Sequence, residues 1–351
     1  MKIGILLVNL GTPDSPKTAD VRKYLTQFLT DSRVIDIPFI PRQLLVRGLI
    51  GPFRSFSSAK LYKELWDEET GSPLLHYGKV LSTKLQESFN NTDTEDEFII
   101  KLAMRYQSPS IESALLEMQD EKVDKIVVFP LFPQYASATT GSVHQEVMRI
   151  VSKWWEIPDI NFIRDYYLQP DMLEIFAENG RKYNPTSYDH ILFSFHGLPQ
   201  SQLRKANKWN HCLEKENCCD SICEENKFCY SSQCHATAHA IAKIEGFTKD
   251  QYSVCFQSRL GPTAWVKPYT SEVLEELAKK GAKKVLVYCP AFVADCLETI
   301  LEIADEYQEE FEEMGGEHVQ LVESLNGNPK WVETVKGMLL ENVYGKSYSL
   351  V

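Results

Sequence analysis

His190-Ile191-Leu192-Phe193-Ser194-Phe195-His196-Gly197-Leu198-Pro199 is the stretch on which the fold turns. An apolar run of strand length ends abruptly in turn residues, as expected of a strand buried in a parallel sheet. An imidazole is thereby held at the strand's carboxyl end. Histidine titrates near neutral pH and can take a proton or ligate a metal, and the following Gly197 and Pro199 let a flat substrate approach the turn. An ordinary loop histidine has the same local sequence, so its neighbours along the chain decide between the two.

Working outward, short runs rich in Val, Ile and Phe alternate with amphipathic stretches, the pattern of βαβ units around parallel sheets. A first set of strands is expected near Lys2 to Leu10, Phe98 to Tyr106 and Lys125 to Pro133, with helices over Val21 to Leu29 and Ile111 to Met118. Ser108-Pro109 reads as the start of the second of these helices. A second set is expected near Ile160 to Asp165, His190 to Phe195, Tyr252 to Gln257 and Lys284 to Pro290, followed by helices near Pro170, His235, Ser271 and Asp295. A last pair, His318 to Glu323 then Pro329 to Val343, closes the chain. The fold class is α/β, with domains over 1–160 and 161–329 and with 330–351 packing back on the first. Open parallel sheets bind ligands beyond the carboxyl ends of their strands, so a cleft between the two domains is the expected site.

Composition narrows the function. The chain has 351 residues, 43% hydrophobic and 25% charged, and a net charge of −12, which argues against nucleic-acid binding,. No apolar stretch reaches the roughly 18 residues of a membrane-spanning helix, and the run at Met1 to Asn9 is too short for a signal peptide. A cytoplasmic location follows as an expectation. From Ile37 to Lys63 there is no acid, while Arg42, Arg47, Arg54, Lys60 and Lys63 interleave with Phe39, Ile40, Leu44, Leu45, Leu49, Ile50 and Phe53. Segment 37–63 suits either a helix packed on its domain or a lip touching anionic lipid at the inner face of a membrane, or substrate carboxylates. Nothing in the sequence points to an oligomeric state.

Asp295, Glu298, Glu302 and Glu306 recur at offsets of three and four, so a helix would stack them on one face,. A solvated acidic face has that pattern too. Yet the helix follows Tyr288-Cys289-Pro290-Ala291-Phe292, at another strand end, where imidazole plus carboxylate suits ferrous iron or another divalent ion. Arg105-Tyr106 ends a strand, as does Gln257-Ser258-Arg259-Leu260-Gly261-Pro262 with Trp265 and Lys267 beyond it. Aromatic surface with cationic heads fits an aromatic ligand bearing carboxylates. Phe132 to Ser142 adds hydroxyls, Ser137 and Thr139 among them, as an anion cradle before a helix. Neither GxGxxG nor GxxxxGK[ST] is present, so nucleotide chemistry has no support.

Six of the nine cysteines fall between Cys212 and Cys234: Cys212, Cys218, Cys219, Cys223, Cys229 and Cys234. They lie in a polar insertion, 207–234, in a large chain without an export signal, where metal binding is the better reading than disulfides. Four thiolates hold an iron-sulfur cluster or a structural zinc, and the spacing leaves both open.

Val8-Asn9-Leu10-Gly11-Thr12-Pro13, Pro130-Leu131-Phe132-Pro133-Gln134-Tyr135 with Thr139-Thr140-Gly141-Ser142, Ser194 to Pro199, Gln257-Ser258-Arg259 and Asp295-Cys296-Leu297-Glu298-Thr299 together resemble the ferrochelatases, in the same order along the chain. The resemblance implies two Rossmann-like domains, a porphyrin partner and Fe²⁺ as substrate for haem formation. It implies His196 and Glu298 as the catalytic pair, and the carboxylate spacing adds the expectation that Glu302 and Glu306 back Glu298 as further Fe²⁺ ligands on the iron path. Arg105, Tyr106, Ser137, Thr139 and Trp265 are then expected around the porphyrin. The insertion resembles the cysteine segments of bacterial members with a [2Fe-2S] cluster, and through them implies protoporphyrin IX over coproporphyrin III. The rival reading is an iron-sulfur redox protein or iron sensor without metallation.

Overall fold

The computed structural model describes residues 1–206, 212–215, 217–261 and 263–345. The expectations touching 207–211, Glu216, Pro262 and 346–351 lie outside the described residues. The chain divides into two compact units, one of Met1–Phe132, Ala136–Arg164 and Asn326–Val351, the other of Pro133–Tyr135 and Asp165–Leu325.

In the first unit, β1 (Lys2–Gly11), β2 (Glu97–Tyr106), β3 (Lys125–Pro130) and β4 (Asp159–Phe162) form a parallel sheet in the order β2-β1-β3-β4. β1 lies inside that sheet and is covered on both faces, which is why Ile3 and Ile5 to Val8 are all fully buried,. Each such side chain contributes roughly 1.5–3 kcal/mol relative to exposure. Leu115 and Met118 of the helix Ile111–Asp120 and Val143 and Val147 of Ser142–Val151 pack with Leu6, Val8, Ile126 and Val128 of the sheet. Ser110, rather than Ser108-Pro109, caps Ile111–Asp120 by accepting from the Ser113 N–H at 3.0 Å. The final helix, Pro329–Tyr344, belongs to this unit, where Lys84 Nζ donates to the Gly327 carbonyl at 2.7 Å.

The strand near Ile160, expected to open the second set, instead pairs with β3 from Lys125↔Asp159 to Val128↔Phe162. It completes the β3–helix–β4 crossover begun at Ser142–Val151. Sequence order alone cannot assign a short strand to one of two similar sheets.

In the second unit, β5 (His190–His196), β6 (Tyr252–Gln257), β7 (Lys284–Tyr288) and β8 (His318–Leu321) are again all parallel, in the order β6-β5-β7-β8. Leu192, Val285 and Val287 pack with Ile303 and Phe311 to form a core here.

Segment 37–63 is helical, through Phe39–Leu45, a wide π-type turn at Val46–Ile50, and Gly51–Leu65. Val46, Ala59 and Tyr62 turn inward, but Phe39, Ile40, Leu44, Leu49, Phe53 and Phe56 are all more than half exposed. Among the described residues no helix is long and apolar enough to cross a membrane.

Candidate active site

Because β5 lies between β6 and β7, the carboxyl ends of these strands form one edge of the second unit,. His196 ends β5 in register with Gln257, the last residue of β6. The Gly197 N–H donates to the Gln257 carbonyl at 2.9 Å, and the Tyr230 hydroxyl donates to the His196 carbonyl at 2.8 Å. A Cβ on Gly197 would stand 2.8 Å from the Gln257 oxygen and 3.2 Å from Trp265 Cε3. Only glycine lets the backbone pass so close to both, and the histidine before it is held firmly in consequence.

The His196 ring is half-buried and lies 6.5 Å from the Phe292 ring, which it meets edge-on. Loss of hydration lowers its pKa from 6.5, while the Glu298 carboxylate opposes that shift,. The imidazole is therefore neutral at pH 7, with a lone pair for a proton or a metal ion.

The carboxylates beyond β7 do not act as one ladder. The predicted helix from Asp295 begins only at Leu297, and after one turn it widens into a π-type turn at Glu302–Glu306, a distortion frequent at functional sites. Asp295 is buried, accepting from Thr299 Oγ1 at 3.1 Å and from the Ser324 N–H at 3.2 Å, so it ties loops together. Glu298 is the carboxylate whose charge His196 feels. Glu302 accepts from Ser258 Oγ at 2.5 Å, Gln257 Nε2 at 3.1 Å and Tyr307 Oη at 3.3 Å. Burial raises its pKa against those donors,. Glu306 is exposed, and burial and then the Glu302 charge raise its pKa. Among the described residues, no three His, Cys, Asp or Glu side chains converge as a metal-binding group, so the expected set of His196, Glu298, Glu302 and Glu306 is not gathered round one point.

In the first unit, Arg105 and Tyr106 end β2 and meet a residue that sequence reasoning passed over. Asp31 Oδ2 accepts from Arg105 Nη2 and from Tyr106 Oη, each at 2.9 Å, and from Ser142 Oγ at 2.5 Å. Arg105 Nε donates to Ser142 Oγ at 2.7 Å, and its guanidinium carbon lies 4.7 Å from the Tyr106 ring centre. Burial would raise the pKa of Asp31, but the Ser142 hydroxyl, the Arg33 N–H, Arg105 and Tyr106 together bring it below 3.8. Ser137 Oγ accepts from Arg33 Nη1 at 2.9 Å, and Thr139 Oγ1 donates to the Ala136 carbonyl at 3.4 Å. A signal for Asp31 existed: an acid just past the helix Thr18–Thr30 opposes the helix dipole and calls for a cation beside it,.

Tyr106 is 2% exposed and Trp265 9%. Tyr106 is drawn inward by Asp31, and Trp265 by its indole N–H donating to the Leu260 carbonyl at 3.0 Å and by its packing on Gly197. Arg259 and Lys267 both lie 4.8 Å from the Tyr269 ring centre and thus bracket an aromatic of their own unit.

The cysteines form a neighbourhood. Cys218 Sγ and Cys219 Sγ are 3.8 Å apart. The Cys212 thiol hydrogen-bonds Cys229, which stands at the N-terminus of the helix Tyr230–Glu245. That bond and the backbone N–H and hydroxyl of Ser232 pull the Cys229 thiol down to about 6,. Cys234 is fully buried, beside Tyr230.

Comparison with known proteins identifies the family. A family model described as Ferrochelatase matches residues 2–343. The ferrochelatase of Legionella pneumophila (strain Paris) is 43% identical over 343 residues, 98% of this chain and 100% of that protein. That of Coxiella burnetii (strain Dugway 5J108-111) is 43% identical over 338 residues, 96% of this chain and 93% of that protein. Among solved structures, SirB from Bacillus subtilis with Fe³⁺ superimposes with a TM-score of 0.53 over 98% of this chain and 97% of its own, at 12% identity, which shows a shared fold. From end to end, then, the chain belongs to the ferrochelatase family.

Proposed function

We propose that metallation runs at the β5–β7 edge, with His196 and Glu298 as the working pair and protoporphyrin IX as the ring. As a ferrochelatase the chain is a lyase that acts on a porphyrin with Fe²⁺ as the metal substrate. Two pyrrolic N–H protons must leave while the ion sheds water, and a flat ring shields its nitrogen lone pairs from both events. Binding energy from the ring's periphery offsets the cost of bending it. A neutral His196 takes a proton or holds iron at one face, and Glu298 delivers the ion or carries protons off, since carboxylates suit a divalent ion that must move on. Glu302, held by three donors, and the exposed Glu306 extend that acidic path outward.

The observation that carries this reading is an imidazole fixed at the carboxyl end of β5, kept neutral by burial and within reach of the Glu298 charge. Two guanidinium groups, Arg33 and Arg105, match a ring with two propionates better than one with four in a chain of net charge −12. Anaerobic protein given Fe²⁺ and protoporphyrin IX is expected to quench porphyrin fluorescence as the haem spectrum appears, with a lower kcat/KM for coproporphyrin III. A higher one would remove the substrate assignment.

The cysteine segment fits a [2Fe-2S] cluster better than zinc. A two-iron cluster takes two thiolates per iron, and the thiols come in two pairs, Cys212 with Cys229 and Cys218 with Cys219, each pair sensing the other. Two thiolates on one tetrahedral metal, bonded at about 2.3 Å, stand about 3.8 Å apart, as the second pair does. Among the described residues no three of these groups converge on one centre, so the pairing of the thiols, two and two, is what supports the two-iron reading. These four would hold the cluster, whose chemistry here is to fasten the loop. Cys229 precedes Tyr230, whose hydroxyl holds the His196 carbonyl. Anaerobically purified protein is expected to be coloured, with two iron atoms and a rhombic electron paramagnetic resonance signal on reduction. A colourless, zinc-loaded sample would contradict it.

Segment 37–63 serves as a peripheral contact with anionic lipid at the cytoplasmic face. Phe53 and Phe56 are 71% and 60% exposed beside the exposed Arg47, Arg54 and Lys60. Sedimentation with phosphatidylglycerol vesicles is expected to fall at least about tenfold in Phe53→Ser/Phe56→Ser, given roughly 1.5–3 kcal/mol per buried aromatic. Equal sedimentation of both forms would remove this contact.

A further inference from the structure

Asp31 occupies an expensive position. It follows the C-terminus of Thr18–Thr30, where the helix dipole is negative, and it is nearly buried, with its side chain 7% exposed,. An acid persists there only if donors compensate it. Four do so: Arg105 Nη2, Tyr106 Oη and Ser142 Oγ on one oxygen, and the Arg33 N–H on the other at 2.8 Å.

The effect on Arg105 is specific. Its Nε is taken by Ser142 and one Nη2 hydrogen by Asp31. The planar guanidinium is thereby fixed in rotation, with Nη1 and its outer edge left over. Arg33 is held likewise, by Gln145 on Nε at 2.5 Å and by Ser137 on Nη1, while Asp31 grips its backbone N–H. One carboxylate thus holds the Arg105 guanidinium directly and the backbone turn that carries Arg33, two elements from separate segments of the first unit. Tyr106 explains its burial in the same way, because its ring lies under the Arg105 guanidinium and its hydroxyl is spent on Asp31.

We infer that Asp31 is a positioning residue of the porphyrin site, clamping Arg105 and the Arg33 turn so that their outer N–H edges stay aligned to receive a ring carboxylate. This rests on the reading of Arg105 as a porphyrin-pocket residue. Asp31 itself touches no substrate. Removing its charge leaves Arg105 free to rotate and costs alignment, so the loss falls on recognition of the carboxylate and leaves the metallation step alone.

The test compares two probes, mesoporphyrin IX and its dimethyl ester, which differ only in the ring carboxylates. For Asp31→Asn, KM for the diacid is expected to rise about tenfold, with kcat within about twofold and KM for the ester unchanged. Asp31→Glu is expected to recover most of the loss. Ser142→Ala, which removes one strut and keeps the charge, is expected to give a smaller rise in KM that is again confined to the diacid, and serves if Asp31→Asn does not fold. A diacid KM unchanged in both variants, or diacid and ester affected alike, would overturn the inference. Arg105→Gln separates the layers. If it loses the diacid preference while Asp31→Asn and Ser142→Ala keep it, the positioning role fails and the Arg105 reading stands. If Arg105→Gln itself keeps the preference, both fall.

Discussion

His196→Ala is expected to lower kcat for iron insertion by about 10²–10⁴-fold, the range that a positioned acid-base group supplies. Porphyrin binding, followed by fluorescence titration, should change little, because the imidazole works on the ring nitrogens and the ion and is not the grip on the periphery. The backbone argument sharpens this expectation. The carbonyl of residue 196 is held by Tyr230, and the N–H of Gly197 is held by Gln257. Both bonds survive the substitution, so the variant should keep its unfolding midpoint to within a few degrees. A folded His196→Ala protein with wild-type turnover would mean that the imidazole is a bystander.

Glu298→Gln is expected to cost about 10²-fold in kcat, with KM for the porphyrin within about threefold. The amide keeps the shape and loses the charge. The Glu298 carbonyl, which accepts from Gln257 Nε2 at 2.8 Å, is untouched, so the turn that carries it should stay in place. Raising Fe²⁺ distinguishes the two tasks open to the carboxylate. If it delivers iron, saturating metal recovers much of the rate; if it removes protons, the deficit persists. Equal turnover of variant and parent at limiting iron would exclude both tasks.

Much of this was legible in the chain because parallel strands buried on both faces write themselves as apolar runs. Ile191 to Phe195 reads as a strand end bearing His196 for that reason, and so does the β7 end leading to Glu298. What escaped was pairing and orientation. The strand near Ile160 has the right composition for either sheet, and only its register with β3 assigns it. Offsets of three and four placed four carboxylates on one face, but Asp295 turned inward to Thr299 and Ser324, which no periodicity records. The polar partners that draw in Tyr106 and Trp265, Asp31 and the Leu260 carbonyl, leave no mark in the local pattern. Asp31 went unnoticed because its side-chain partners come from residues 74 to 111 positions away.

The account stands on His196 and Glu298 acting on the same ion and the same protons. A double-mutant cycle on iron insertion by His196→Ala, Glu298→Gln and the combined variant tests that directly. Groups that work as a unit are strongly non-additive, so the double variant should turn over no more than about threefold slower than the slower single variant. A double variant whose loss equals the product of the two single losses would show two independent residues, and would contradict the shared site proposed for them.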